Sequence, residues 1–361
     1  MPSRRDFLKQ AALSGAAAML GSLPQAEASG DAPLALPAGR TLEYWIQADS
    51  LPWILAPNGR DSMTGAAYDA AQSSFVTVGY RAYSENWAAL LPPDPGIGEN
   101  SGIPGPILRA RVGDTIVIHF KNNDVRPKPA AHSIHLEGLV REMENDGFWR
   151  SSEPNLPGTA VYPGETYTYR YTAPASAAGA WLYSDFSASR RMKGRGFDIR
   201  IYRDVPVYTR AKPQEPSELD APVGAQFGLF GMAIIDDENT KPADRENVVI
   251  FHDLYSDDLP MLVQDFDCIN GRSFLGNTPT FQARTGERVR WRIGSVGREN
   301  HVFHIHGHRW RMNGAFTDTH LLAPGTTATF DYLEDSPGEW LYHCHFTEHI
   351  MGGMAGLYVV S

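Results

Sequence analysis

Gly338-Glu339-Trp340-Leu341-Tyr342-His343-Cys344-His345 aligns position by position with Gly179-Ala180-Trp181-Leu182-Tyr183-Ser184-Asp185-Phe186, and this pairing decides the fold. Three further matches run in the same order along the chain. Ala110-Arg111-Val112-Gly113-Asp114 matches Ala283-Arg284-Thr285-Gly286-Glu287, and His132-Ser133-Ile134-His135-Leu136-Glu137-Gly138 matches His301 to Gly307. Pro163-Gly164 before Thr166-Tyr167-Thr168 matches Pro324-Gly325 before Thr327-Ala328-Thr329. Collinear self-similarity of this kind makes the chain two copies of one unit. The polar, Pro-containing stretch from Asp236 to Arg245 reads as their linker, which gives expected domains at 38–238 and 239–361. Each copy is written in short alternating strands such as Thr115-Ile116-Val117-Ile118-His119-Phe120 and Val289-Arg290-Trp291-Arg292-Ile293, punctuated by Gly, Pro and Asn. No long helical period appears among the 34 Gly and 26 Pro, so the expected class is all-β, with two Greek-key β-sandwich or barrel domains. Arg190 to Gln226 has no counterpart in the second copy. It reads as a surface decoration, or as a cover over a substrate or metal site.

The second copy carries chemistry that the first lacks. Cys344, His349 and Met354 stand five apart, so one strand end and the loop after it can deliver three ligands, with His301 as a second imidazole. A thiolate and two imidazoles in trigonal array with a weak axial thioether make a blue-copper site. Strand alternation from His301 puts His304, His306 and His308 on one face. Eight of the twelve histidines lie between His301 and His349, around one of only two cysteines. Structural zinc favours paired Cys or Cys-Cys-His-His spacing with no role for Met, so copper is the expected cofactor. The bland alternative is a Cys268–Cys344 disulfide in an oxidising compartment; a histidine on each side of Cys344 favours ligation.

At 361 residues the chain is long enough for two domains with real cores. Its net charge of -10, without basic runs, argues against nucleic-acid and anionic-membrane partners. Ser3-Arg4-Arg5-Asp6-Phe7-Leu8-Lys9, an apolar run from Ala11 to Leu20 and Ala26-Glu27-Ala28 have the layout of a twin-arginine export signal over residues 1–28, implying a periplasmic or secreted protein. Without that segment the charge moves to -11, because Arg4, Arg5 and Lys9 leave with Asp6 and Glu27.

On these motifs the chain resembles the multicopper oxidases, in particular the bacterial two-domain small laccases, with a ceruloplasmin-like stretch from Ser101 to Leu108. The resemblance spans residues 38–361 and implies cupredoxin domains, a type 1 copper that takes electrons from substrate, and a second copper centre that reduces oxygen. Carried over by position, it implies His301, Cys344 and His349 with axial Met354 for type 1 copper, His304 for a type 2 copper, and His306, His343 and His345 for a type 3 pair. The first half departs from the pattern. Its two His-x-His motifs are replaced by His135-Leu136-Glu137 and Ser184-Asp185-Phe186, so of four expected ligands only His135 remains, with Glu137 a feasible but harder donor. A standard trinuclear cluster is therefore not expected. An atypical mononuclear or dinuclear site formed by His304, His306, His343 and His345 facing His135 and Glu137 is.

The leading expectation is a laccase-like copper oxidoreductase fed by a small molecule or a small redox protein. Copper nitrite reductases offer the runner-up: their type 1 and three-His coppers are bridged by a His-Cys pair, and His301, His306 and His343-Cys344 have that spacing. A non-catalytic copper or electron carrier is the third reading. By resemblance the chain is expected to close as a homotrimer, with the second site between subunits. His132 is expected to be structural, since its partner at the Cys344 position is Asp185, and His119, His252 and His320 need no special role. Met143, Met192 and Met351 can contact copper or substrate, but isolated Met residues more often pack.

Overall fold

Each half folds into two main β-sheets and one two-stranded ribbon, as its period-2 sequence requires. The computed structural model describes residues 39–361 apart from 95–96, 98–101, 151, 188–196, 203–204, 211–223 and 260. The expected export signal, residues 1–28, and Met192 lie outside the described residues. The first half contains β1 (Thr41–Ile54), β2 (Ser74–Tyr83), β3 (Leu108–Arg111), β4 (Thr115–Asn123), β5 (His135–Leu136), β6 (Thr166–Thr172) and β7 (Gly179–Ser184). It is completed by β10 (Phe230–Asp236), while β8 (Phe197–Tyr202) and β9 (Val205–Arg210) form a separate antiparallel hairpin in the 190–226 segment. The second half contains β11 (Arg245–Leu254), β12 (Phe266–Ile269), β13 (Thr280–Ala283), β14 (Arg288–Ser295), β15 (His301–Ile305), β16 (Trp310–Met312) and β17 (Ala315–Thr317). After these come β18 (Thr319–Leu322), β19 (Thr327–Leu333), β20 (Gly338–Cys344), the short helix α1 (Thr347–Met351) and β21 (Ala355–Val360).

The sheet orders are β2-β1-β4-β6 and β3-β10-β7-β5 in the first half, and β12-β11-β14-β19 and β13-β21-β20-β15-β18 in the second; the ribbons are β8–β9 in the first and β16–β17 in the second. The repeat is visible in the ladders. β1 pairs parallel with β4 as β11 does with β14, and β10 pairs parallel with β3 as β21 does with β13. It also reaches single side chains. Tyr183 and Tyr342 donate to the carbonyls of Pro106 and Pro279 at 2.6 and 2.7 Å, and the indoles of Trp181 and Trp340 donate four residues back, to Ala177 and Ser336, at 2.7 and 2.8 Å. Gly138 and Gly307 turn the chain at φ of 74° and 70° beneath those indoles, where an added Cβ would lie 2.1 Å from Trp181 and 2.7 Å from Trp340. Gly138→Ala should accordingly cost about 1–3 kcal/mol of stability through overpacking and a left-handed backbone, read as a lowered urea midpoint.

Three buried clusters fill the molecule. One lies within the first half around Tyr80, Phe120 and Tyr169, and one within the second around Trp291, Phe303 and Tyr342. The third joins the halves: Trp53, Ile103, Leu182 and Phe230 of the first pack with Ile250, Leu254, Phe266 and Cys268 of the second. Burial of this apolar surface fixes the two halves against each other. No helix among the described residues is long and apolar enough to cross a membrane.

Candidate metal centres

One two-stranded ladder carries both ligand sets. β15 and β20 pair antiparallel, with Phe303 opposite Cys344 and His304 opposite His343. Because side chains alternate across a strand, His301 shares a face with Phe303 and Cys344, while His304 shares the other with His343. The chemistry therefore sorts itself by parity: the sulfur with His301 inward, His304 and His343 outward.

On the inner face, His301 and Cys344 are completely buried and His349 is 8 % exposed. α1 folds His349 back so that its Nδ1 lies 3.2 Å from His301 Nδ1 and 3.3 Å from Cys344 Sγ. The backbone N–H of Val302 donates to that sulfur at 3.3 Å. Met354 is buried in the same cluster, and its carbonyl accepts from the Cys344 N–H at 3.2 Å while its own N–H donates to the His349 carbonyl at 2.8 Å. Burial pushes the Cys344 thiol up to about 11, so a bound cation would have to stabilise the thiolate. Two inward imidazole nitrogens and one sulfur around one point form a soft donor set that fits copper. The outer nitrogens face carboxylates: His349 Nε2 bonds Glu299 at 2.8 Å, whereas His301 Nε2 makes no hydrogen bond and lies 3.8 Å from Asp253. Such outer partners hold a ligand's ring and tautomer. The expected alternative, a disulfide, is not formed; Cys268 and Cys344 are both free and buried, in different clusters.

On the outer face, donor nitrogens of His304, His306 and His343 lie within 4.8 Å of one another, with His306 Nε2 and His343 Nε2 3.0 Å apart. His304 Nδ1 donates to the Asp318 carbonyl at 2.8 Å and His343 Nδ1 to the Cys344 carbonyl at 2.7 Å, which leaves each Nε2 free to ligate. Burial, with a smaller contribution from His306, His304 and His345, lowers His343 to about 4 and outweighs the bond to Cys344. Burial and then His304 and His345 lower His306 as well. His345 is exposed and its ring stands 4.9 Å from His304, outside the three-nitrogen set.

His308 corrects the sequence reading. Alternation placed it beside His304 and His306, but β15 ends at Ile305 and Gly307 turns the chain, sending His308 inward. There its Nε2 meets the buried Glu334 at 2.9 Å.

The first half presents His135, Glu137, Ser184 and Phe186 at the equivalent positions. His135 donates through Nδ1 to the Asp146 carbonyl at 2.6 Å, and the stacked rings of Phe148 and Phe186 stand edge-on to it at 5.7 and 5.4 Å. Burial raises the Glu137 carboxyl, with Arg141 opposing. Neither His135 nor Glu137 joins the second-half histidines within the chain. Behind them, at the position equivalent to His301 and Cys344, fully buried His132 is held by Asp185 at 3.3 Å through Nδ1 and Asp124 at 3.2 Å through Nε2. An imidazole held between two carboxylates thus stands where the second half gathers metal ligands. Burial alone would lower His132, but the two carboxylates raise it; burial alone would raise Asp124, but His132 and Arg126 hold it far below the usual range.

The remaining histidines have structural partners: His119 stacks on Trp45 at 4.4 Å, and buried His252 accepts from Gly271, burial taking it down to about 3. Burial also lowers half-buried His320. Met143 and Met351 are exposed.

Residues that spacing could not reveal surround His349. An open cleft of about 680 Å³ is lined by Asp253, Asp265, Asp267, Glu299 and Glu348 together with His349. Arg298 also lines it but is paired with Asp258. Burial, reinforced by Asp253, Glu299 and Asp265, pushes Asp267 up to about 8. Glu299 is two residues before His301 in sequence, yet its bond is to His349 and arises only when α1 folds back.

Two family models, both described as multicopper oxidase, match residues 84–203 and 246–361. Hephaestin of Rattus norvegicus is 26% identical over 364 residues, covering 88% of this chain and 28% of that protein. Ferroxidase HEPHL1 of Homo sapiens is 26% identical over 379 residues, covering 89% of this chain and 29% of that protein. The chain thus spans less than a third of the length of these relatives. A solved structure, a crystal structure of a multicopper oxidase, shares the fold with a TM-score of 0.60 and 22% identity, covering 90% of this chain and 91% of that one. With both halves matched and a soft sulfur–nitrogen donor set in place, the chain belongs to the multicopper oxidases, a family whose cofactor is copper.

Proposed function

We propose that this chain is a copper oxidoreductase in which His301, Cys344 and His349, together with Met354, would hold one copper and the outer-face histidines would hold the second site. Copper bound there would supply one-electron redox chemistry at both places. The observation that carries the reading is the β15–β20 ladder, with a sulfur–nitrogen set on one face and an all-nitrogen set on the other. The backbone from Cys344 to His343 and His345 then gives a short covalent link between the sites. Copper loading should give a deeply coloured protein that bleaches with a reductant and recovers with an oxidant; a colourless copper-loaded protein would remove the assignment.

The carboxylates around His349 support a cationic electron donor over an anionic one, because they concentrate positive charge beside the ligand nearest the surface. One relative is named a ferroxidase, which makes ferrous ion the first donor to try. Glu299→Gln should lower kcat/KM for ferrous ion about tenfold and change that for a neutral phenol far less; the factor is modest because Glu299 is 46% exposed and screened.

Exposed His306 and His345, and an equivalent face holding His135 and Glu137, support assembly as a homotrimer with the second site between copies. Mass measurement in solution tests this. Export through the twin-arginine segment is proposed with it, to the periplasm or beyond. The close His306–His343 pair beside Cys344 also favours a second reading, reduction of nitrite, which anaerobic turnover with nitrite and a reduced dye tests directly. The carrier reading needs only one copper per chain.

A further inference from the structure

We infer that the outer-face site holds a single copper, bound by His304, His306 and His343, in place of the three-copper cluster that the family's pattern puts there. The inference rests on the copper oxidoreductase reading above and makes it specific.

The donor inventory argues against three coppers, and the geometry then favours one. The family's cluster draws paired imidazoles from both halves, and here the second half keeps all four, His304, His306, His343 and His345. The first half offers His135, Glu137, Ser184 and Phe186 at the matching positions, so its face brings one imidazole and one carboxylate. A phenyl ring has no lone pair to give, and a neutral hydroxyl is a weak ligand for a soft or borderline ion. In any closed symmetric assembly each copy lends its first-half face once, so no neighbour makes up the deficit. The His135 face is also walled: Phe186 stacks on Phe148 at 5.1 Å, and both rings stand beside the imidazole.

The geometry on the second-half face suits one ion. Imidazole nitrogens each about 2 Å from a metal in a tetrahedral arrangement are roughly 3.3 Å apart. The His306–His343 separation is 3.0 Å, and His304 falls within the same 4.8 Å set while His345 does not. Two of the three rings have their Nδ1 committed to backbone carbonyls, which fixes Nε2 as the ligating atom.

The electron count changes with the metal count. One copper on each face of the ladder stores two electrons per chain, half of what reduction of dioxygen to water consumes (O2 + 4 H+ + 4 e− → 2 H2O). The acceptor this site suits is a small oxidant that takes one or two electrons at a time.

Copper analysis and spin counting on the full-length, fully copper-loaded and oxidised protein test the inference. Two coppers per chain are expected, both paramagnetic, so that spins equal copper. His306→Ala should lose one copper and one spin per chain and keep the full visible colour of the thiolate site. More copper than spins, four coppers per chain, one copper per chain in the wild type, or unchanged copper in His306→Ala would overturn it. Absence of the visible colour would instead overturn the oxidoreductase reading, so the two failures are distinguishable.

Discussion

Cys344→Ser is expected to abolish the intense visible absorption of the copper-loaded protein and to slow donor oxidation by about a thousandfold, roughly 4 kcal/mol in barrier. The reason is local. Serine fills nearly the same volume, so the buried inner face of the β15–β20 ladder keeps its shape, but its hydroxyl stays protonated where a thiol can ionise against a metal. Oxygen is also the harder donor, less suited than sulfur to copper in a low-dielectric pocket. The outer-face histidines point the other way across the pleat, so the variant should retain the copper held there. Visible spectroscopy together with copper analysis separates the outcomes. Persistent colour in the serine variant would mean that another group ligates the metal.

His132→Ala should have the largest effect on stability, about 3–5 kcal/mol, because it leaves Asp124 and Asp185 buried without their shared cation. Some of that loss is relieved by Arg126, which bonds Asp124 at 2.8 Å, and by Ser133, which donates to Asp185 at 3.1 Å. The dependence on pH follows from linkage. The folded-state pKa of His132 is raised, so its contribution is fully present below the unfolded value of about 6.5 and disappears as pH rises through the folded value. Asp124 is lowered, so its contribution is present above the unfolded value near 4 and is lost as pH falls below it. The cluster should therefore stabilise most between about pH 4 and 6.5. Thermal melts of the metal-free protein across pH 4 to 9 should show the wild type weakening above neutrality more than His132→Ala does. Parallel curves for the two proteins would show that His132 is neutral in the fold.

Much of this was legible in the chain itself. The collinear matches led to two all-β halves because a repeat of strand-forming segments allows little else, and the equivalences extend to Gly138 and Gly307 under Trp181 and Trp340. His301, Cys344 and His349 could be grouped because copper's preferences are chemical and the three lie on one strand pair and its adjoining helix. Spacing misled at His308, since alternation holds only while the strand lasts and Gly307 ends it. It was silent on Glu299 and Asp253, whose contacts to ligand rings join distant segments.

Sequence by itself determined the repeat, the all-β class, the gathered sulfur and imidazole donors and the loss of ligands in the first half, because each is a matter of residue type and local order. Tertiary structure decided which faces those donors occupy, that the ligating nitrogens of three outer histidines converge while His345 packs its ring beside them, and that carboxylates surround His349. Those facts depend on how the pleat of β15 and β20, the fold-back of α1 and the turn at Gly307 bring separated residues together, and no local rule encodes such distances.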